Sequence, residues 1–235
     1  MNILPVYIGY DSRQAIAYNV LQFSILRRSS RPIALHPLVL ESLPLTRRGL
    51  TPFTFSRFLV PWLQEYRGWA MFLDIDMLVL GDIADLFEQA NPRCAAMVVK
   101  NRQRFEWASV ILFNCAHPSN RRLIPAFVEN PLECRNPHAL DWLAEEEIGA
   151  LPTAWNHLVG YDPRRSDAKI VHFTQGMPIF EETLGSEYRD QWMAEHEIAN
   201  STQPWPQLMA KSVHAGMTRE GRPVARLHPD ALPTT

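Results

Sequence analysis

The amino-acid sequence predicts an α/β fold: a mostly parallel central sheet flanked by helices. Short apolar runs alternate with stretches of helical spacing through the first half of the chain, the pattern of successive strand–helix units. With 235 residues, 46% of them hydrophobic, the chain has enough apolar material for one large domain, or a domain with a small appendage. One apolar run, Ala70-Met-Phe-Leu-Asp-Ile-Asp-Met-Leu-Val-Leu80, is interrupted only by Asp74 and Asp76 and is closed by Gly81-Asp82. Two acids therefore stand at the C-terminal end of a buried strand, where open α/β sheets place their ligands.

Residues 3–8 read as the first strand, ended by Gly9. Asp11 or Ser12 can cap a helix over residues 13–28, with Ala15, Ile16, Val20, Phe23, Ser24 and Leu26 near helical spacing. Residues 33–40 are a second strand and residues 43–50 a loop. Thr51-Pro52 starts a helix running toward Tyr66, which Pro61 should kink or divide. Residues 69–73 form the strand that feeds Asp74, and residues 83–89 a short helix. Residues 95–99 and 109–113 are further strands. Helices are expected over residues 118–129 and 138–147, then a short strand over 170–173 ended by Thr174-Gln175-Gly176. Beyond Ser186 the periodicity is weak. A core domain over residues 1–185 and a helical or irregular appendage over 186–235 are expected.

A net charge of −2 gives no pull toward nucleic acid. The three cysteines, Cys94, Cys115 and Cys134, lack metal-site spacing and read as reduced thiols, which predicts a cytoplasmic protein. No secretory signal or transmembrane run is recognisable. The tail carries Trp192, Trp205, Lys211, Arg219, Arg222 and Arg226, suited either to plain packing or to peripheral contact with a membrane surface or an acceptor.

Asp74 and Asp76, one residue apart inside apolar sequence, are costly unless paired, and suit a hard divalent cation; a strand-end turn is the bland alternative. His172 follows a strand and precedes Gly176, which would let backbone approach a phosphate; a structural histidine is the alternative. Gly9-Tyr10-Asp11 is either a capped turn or a loop that receives a nucleotide. Arg57, among aromatics, is either a snorkelling arginine or one that contacts base or phosphate.

Taken in order, strand-Gly-Tyr-Asp, Phe-Ser-Arg-Phe, Phe-Leu-Asp-Ile-Asp-Met-Leu-Val and Val-His-Phe-Thr-Gln-Gly-Met-Pro resemble the GT-A fold glycosyltransferases. The closest likeness is to the family 8-like retaining enzymes, the group of glycogenin and lipopolysaccharide galactosyl- and glucosyltransferases. Leu151-Pro-Thr-Ala-Trp-Asn156 resembles a loop of the same enzymes. The resemblance implies transfer of a hexose from a UDP-sugar to a glycan or lipid-linked saccharide acceptor. Asp74, Asp76 and His172 would hold Mn²⁺ or Mg²⁺. Gly9, Tyr10, Asp11 and Arg57 would line the nucleoside pocket, with Ile75 beside it. Ser109 would meet the donor sugar and Gly176 the phosphate. Asp141, placed where the family contacts the donor sugar, joins Asp76 as a candidate catalytic residue. Met177 stands where the family often carries a lysine before proline, and Lys169, Arg164 or Arg165 would have to replace it.

Two other readings carry weight. Strand-Asp-x-Asp also opens haloacid-dehalogenase-type phosphatases, and Gly81-Asp82-Ile-Ala-Asp85 mimics their later metal motif. A non-catalytic sugar-nucleotide-binding protein would account for Met177.

Overall fold

The structure, a computed structural model, describes residues 3–203. Contacts group Met1–Ala199 into one compact unit; of the unit Asn200–Thr235, only residues 200–203 are described, and they form neither helix nor strand. Trp205, Lys211, Arg219, Arg222 and Arg226 lie outside the described residues. Among the described residues, no helix is long and apolar enough to cross a membrane.

The chain runs β1 (Leu4–Gly9), α1 (Ala15–Arg28), β2 (Ile33–Leu38), α2 (Phe53–Ser56), α3 (Val60–Leu63), β3 (Trp69–Leu73), β4 (Met77–Val79), α4 (Ile83–Phe87) and β5 (Ala96–Val98). It continues through β6 (Val110–Asn114), α5 (Pro125–Glu129), β7 (Ile148–Ala150), β8 (His157–Leu158), β9 (Ile170–His172) and α6 (Arg189–Ala199). Six strands form the main sheet in the order β2-β1-β3-β6-β5-β7. β6 is antiparallel to both of its neighbours, and every other pairing in this sheet is parallel. The expected mostly parallel α/β sheet is therefore the observed one. A second small sheet, β4-β9-β8, lies at the strand ends that carry the two aspartates.

The core explains why the central strands read as continuous apolar runs. Successive side chains of β1 and β3 divide between two buried clusters: Val6, Ile8, Met71 and Leu73 in one, Tyr7, Ala70 and Phe72 in the other. A strand covered on both faces has no polar alternation to show. α1 buries Ala17, Val20, Leu21, Ser24 and Ile25, a helical stripe. Ser24 works at its edge: its hydroxyl donates to Leu21 O at 2.8 Å and accepts from Val79 N at 3.1 Å, tying α1 to β4.

Several elements differ from expectation. The helix expected over 51–66 is three pieces, α2, a 3-10 turn at Arg57–Leu59, and α3. Pro61 lacks the N–H that would bond Arg57 O in a continuous helix. The helix expected over 118–129 is a 3-10 turn, Pro118–Arg122, followed by α5, which Pro125 starts. Residues 138–147 hold two short 3-10 turns instead of a helix. There Leu140 adopts a left-handed φ of 57°, which breaks helical continuation. The Trp142 ring N–H is drawn to Asn120 Oδ1 at 3.2 Å. Conversely, α6 is a regular helix where the periodicity is weak. Trp192 is fully buried on it, and Glu195, 3% exposed, pairs with both Arg27 and Arg28 of α1. Three-dimensional packing, not an apolar stripe, holds this helix.

Trp192→Ala is expected to lower unfolding free energy by about 3–5 kcal/mol, since it empties a large, fully buried site between α6 and the core. Urea denaturation checks this; a loss below about 1 kcal/mol would show that α6 contributes little to the domain.

Candidate functional site

The link from β3 to β4 carries Asp74-Ile75-Asp76. Ile75 is buried in the core at 1% exposure and anchors the link. Asp74 N donates to Ser109 O at 3.0 Å, extending the β3–β6 ladder by one bond. β4 then pairs antiparallel with β9, setting Met77 opposite His172, and Phe173 N closes the pairing on Asp76 O at 3.0 Å. Strand register thus brings three residues together. One ligand atom each from Asp74, Asp76 and His172 lies within 4.8 Å of the others.

This triad opens into a cavity of about 240 Å³ that is also lined by Arg57, Phe53, Glu106, His138 and Thr174, among others. Arg57 is buried and fully committed. Its Nη2 lies 2.9 Å from Asp74 Oδ1, Nη1 donates to Asp74 Oδ2 at 3.2 Å and to Ala108 O at 2.8 Å, and Nε donates to Phe53 O at 3.2 Å. Asp74 Oδ1 is thus held by the Arg57 ion pair without an aligned hydrogen bond. Burial pushes the Asp74 carboxyl up to about 7, against the pull of Arg57 and with Asp76 adding to the rise.

His172 is held between two acids. Its Nε2 lies 3.2 Å from Asp76 Oδ1 and its Nδ1 3.6 Å from Glu106 Oε2. Burial alone would lower its pKa; the carboxylates of Asp76, Glu106 and Asp74 outweigh burial and raise it to about 9. Two carboxylates and one imidazole form a donor set that fits a divalent metal ion. Glu106 on the far ring nitrogen has the placement of an outer carboxylate that orients a metal-bound histidine.

The other sequence candidates have varied positions. Gly9 abuts the cavity wall: a Cβ there would meet the Phe53 ring at 2.4 Å. Ser109 stands behind the wall, its hydroxyl donating to Glu106 O at 2.6 Å and accepting from Asn156 Nδ2 at 2.9 Å. Asp11 caps the turn before α1 and pairs with Arg13 at 2.6 Å, which holds its carboxyl below the usual range. Tyr10 packs edge-on against Tyr18. Gly176 turns the chain after β9 at a φ of 108°, and its N–H is bonded to Phe173 O at 2.9 Å. Asp141 is exposed and accepts from Asn136 N at 2.8 Å. Tyr10, Asp11, Gly176 and Asp141 do not line the cavity. Met177 is buried in the core, and neither Lys169, Arg164 nor Arg165 lines the cavity in its stead. Asp82 caps α4 through Ala84 N and holds Ser30 N, so the phosphatase-like second motif serves as a helix cap.

Glu106 and His138 are site residues that no sequence signal marks. Glu106 lies in a 3-10 stretch between strands. His138 packs edge-on to Phe58 at 5.4 Å, and burial, with Arg57 and Arg47 adding, pushes it down to about 4, leaving a neutral imidazole at pH 7.

No protein-family model matches the chain. The chain is 36% identical over 228 residues to protein CDI of Arabidopsis thaliana, covering 83% of this chain and 86% of that protein. It belongs to the protein CDI family. Among solved structures, this CDI-family chain is similar to the WbbM bifunctional glycosyltransferase, with a TM-score of 0.64 and 14% identity over 89% of the chain. It is also similar to the glycosyltransferase GlyE of Streptococcus pneumoniae TIGR4, with a TM-score of 0.62, 17% identity and 83% coverage. The galactosyltransferase LgtC, in complex with donor and acceptor sugar analogues, gives a TM-score of 0.60 at 12% identity over 87% of this chain and 99% of its own. The chain spans 51% of the WbbM chain and 60% of the GlyE chain. The fold of this CDI-family chain is the GT-A glycosyltransferase fold.

Arg57→Ala should cost about 3–5 kcal/mol, because it strands the buried Asp74 carboxylate. Arg57→Ala combined with Asp74→Ala should cost clearly less than the sum of the two single changes. Denaturation of all four proteins tests this, and additive losses would mean that the pair is not coupled.

Proposed function

We propose that this chain is a metal-dependent retaining glycosyltransferase, family 8-like, that moves a hexose from a UDP-sugar to a hydroxyl of a glycan or lipid-linked saccharide. The observation that carries this reading is the convergence of Asp74, Asp76 and His172, with ligand atoms within 4.8 Å, on a GT-A fold. These three residues would hold Mn²⁺ or Mg²⁺. When bound, the ion would supply the positive charge that stabilises the departing diphosphate.

The chain's own residues then divide the work. Arg57 fixes the Asp74 carboxylate and completes the wall next to Gly9, where β1 ends and a nucleoside would enter. Tyr10 and Asp11 follow in that loop. Glu106 at Nδ1 would keep the proton of a neutral His172 on that side and leave Nε2 free as the ligand atom. His138, neutral at pH 7, can exchange hydrogen bonds with sugar hydroxyls. Asp141, three residues on but outside the cavity lining, enters this reading as a donor-sugar contact through the family resemblance alone. Ser109 acts through the frame that it shares with Glu106, and Gly176 through the turn that follows His172. Three buried thiols support a reducing, cytoplasmic setting. The burial of Met177, with none of Lys169, Arg164 and Arg165 lining the cavity, favours a second reading, a sugar-nucleotide-binding protein without turnover.

Calorimetry with UDP and a panel of UDP-sugars, with and without Mn²⁺, tests the reading. Mn²⁺ should strengthen UDP binding in the wild type, and Asp76→Ala should abolish that gain. Slow release of UDP from one UDP-sugar marks transfer or hydrolysis; tight metal-dependent binding with no turnover across donors and acceptors marks the second reading. Metal-independent UDP binding in both proteins would overturn the site assignment. Glu106→Ala should weaken Mn²⁺ affinity by about 10–100-fold while Glu106→Gln retains part of it, as read by Mn²⁺ electron paramagnetic resonance.

A further inference from the structure

A second cleft, of about 450 Å³, is lined by residues 100–102 and by segments 153–157 and 162–165. Four cations line it, Lys100, Arg102, Arg164 and Arg165, against one acidic side chain, Asp162. Two of the four are neutralised locally: Lys100 by Glu145 at 3.0 Å, and Arg165 by Asp167 at 2.7 and 2.8 Å. Arg102 and Arg164 are exposed and have no carboxylate partner among the described residues; Arg164 lies over the Tyr188 ring.

The same cleft is lined by residues with buried side-chain polar atoms that lack hydrogen-bond partners. Asn156 and His157 are each 1% exposed, and Asn101 is half-buried. The Asn101 amide has no partner on either its oxygen or its nitrogen. Asn156 Oδ1 has none, and neither ring nitrogen of His157 is hydrogen-bonded; Glu187 Oε2 stands 3.5 Å from its Nε2. Buried polar atoms in folded proteins are nearly always paired, and unpaired side-chain atoms on three residues of one cleft, Asn101, Asn156 and His157, point to a polar occupant. Amides and imidazole offer the mixture of donors and acceptors that sugar hydroxyls require. Unpaired arginines offer a fork for a carboxylate or a phosphate.

Asn156 bonds the cleft to the segment that carries Glu106. Asn156 lines the cleft, and its Nδ2 donates to Ser109 Oγ at 2.9 Å and Glu106 O at 3.3 Å, while the Glu106 side chain lines the triad cavity. Asn156 thus links a residue of the cleft to the segment that presents Glu106 to the triad cavity.

We propose that this cleft is the acceptor subsite, and that the acceptor is an anionic saccharide bearing a carboxylate or phosphate that Arg102 and Arg164 recognise. This rests on the transferase reading of the triad cavity. The test is calorimetry on the full chain with a uronate trisaccharide, a sugar monophosphate, a neutral trisaccharide and inorganic phosphate. UDP with Mn²⁺ is titrated in parallel. One of the two anionic saccharides should bind at least tenfold tighter than the neutral trisaccharide and than inorganic phosphate, and which one does so identifies the acid. The double substitution Arg102→Ala/Arg164→Ala, confined to exposed side chains, should remove that preference and leave UDP–Mn²⁺ affinity unchanged. No binding of either anionic saccharide, equal binding of the neutral one or of inorganic phosphate, or undiminished binding by the double variant would overturn the proposal. Loss of UDP binding in the double variant would also overturn it, by assigning the cleft to the donor. Wild type that fails to bind UDP with Mn²⁺ counts against the transferase reading itself and is read separately.

Discussion

Arg57 and Asp74 form a buried ion pair at 2.9 Å where β3 ends, and the organisation of the site depends on it. The pair solves a local problem: a carboxylate at the end of a strand buried on both faces must be compensated. Arg57 does this from a helix that Pro61 has broken, and its remaining N–H groups bond Phe53 O and Ala108 O. One guanidinium thereby joins α2, the end of β3 and the stretch before β6. The packing of this wall also explains Gly9, whose missing side chain makes room for the Phe53 ring.

From that fixed carboxylate the rest of the site follows by strand pairing. Asp76 lies two residues on, just before β4, and the antiparallel β4–β9 register delivers His172 beside it. The imidazole then sits between Asp76 and Glu106, in a field of acids strong enough to overcome the penalty of burial. That field favours positive charge at this point, as an imidazolium or as a bound cation, and groups perturbed in this way cluster at functional sites.

The central strands were legible because burial on both faces leaves continuous apolar runs, as in residues 69–73. The short strands β7 and β8 were not, because three or two residues carry no period. The helices over 118–129 and 138–147 were over-read: Pro125 and the left-handed Leu140 interrupt them, and side chains such as Asn120 prefer the sheet, donating to Ala95 O and Asn114 O. α6 leaves little trace in the sequence because its stability comes from one buried tryptophan and a buried glutamate paired with α1.

By itself the sequence determined the α/β pattern and the placement of Asp74 and Asp76 at a strand end, since both depend on neighbours in the chain. It marked Arg57 and His172 as candidates but left each with two readings. Only the tertiary structure decided that Arg57 serves Asp74, that His172 meets Asp76, that Glu106 and His138 join them, and that Met177 is core. It also gathered Arg102, Arg164, Asn156 and His157 into a second cleft. The physical reason is the same in each case. Hydrophobic period and turn chemistry act over a few residues, whereas charge compensation and strand register act between segments far apart in the chain, and are fixed only when the sheet closes.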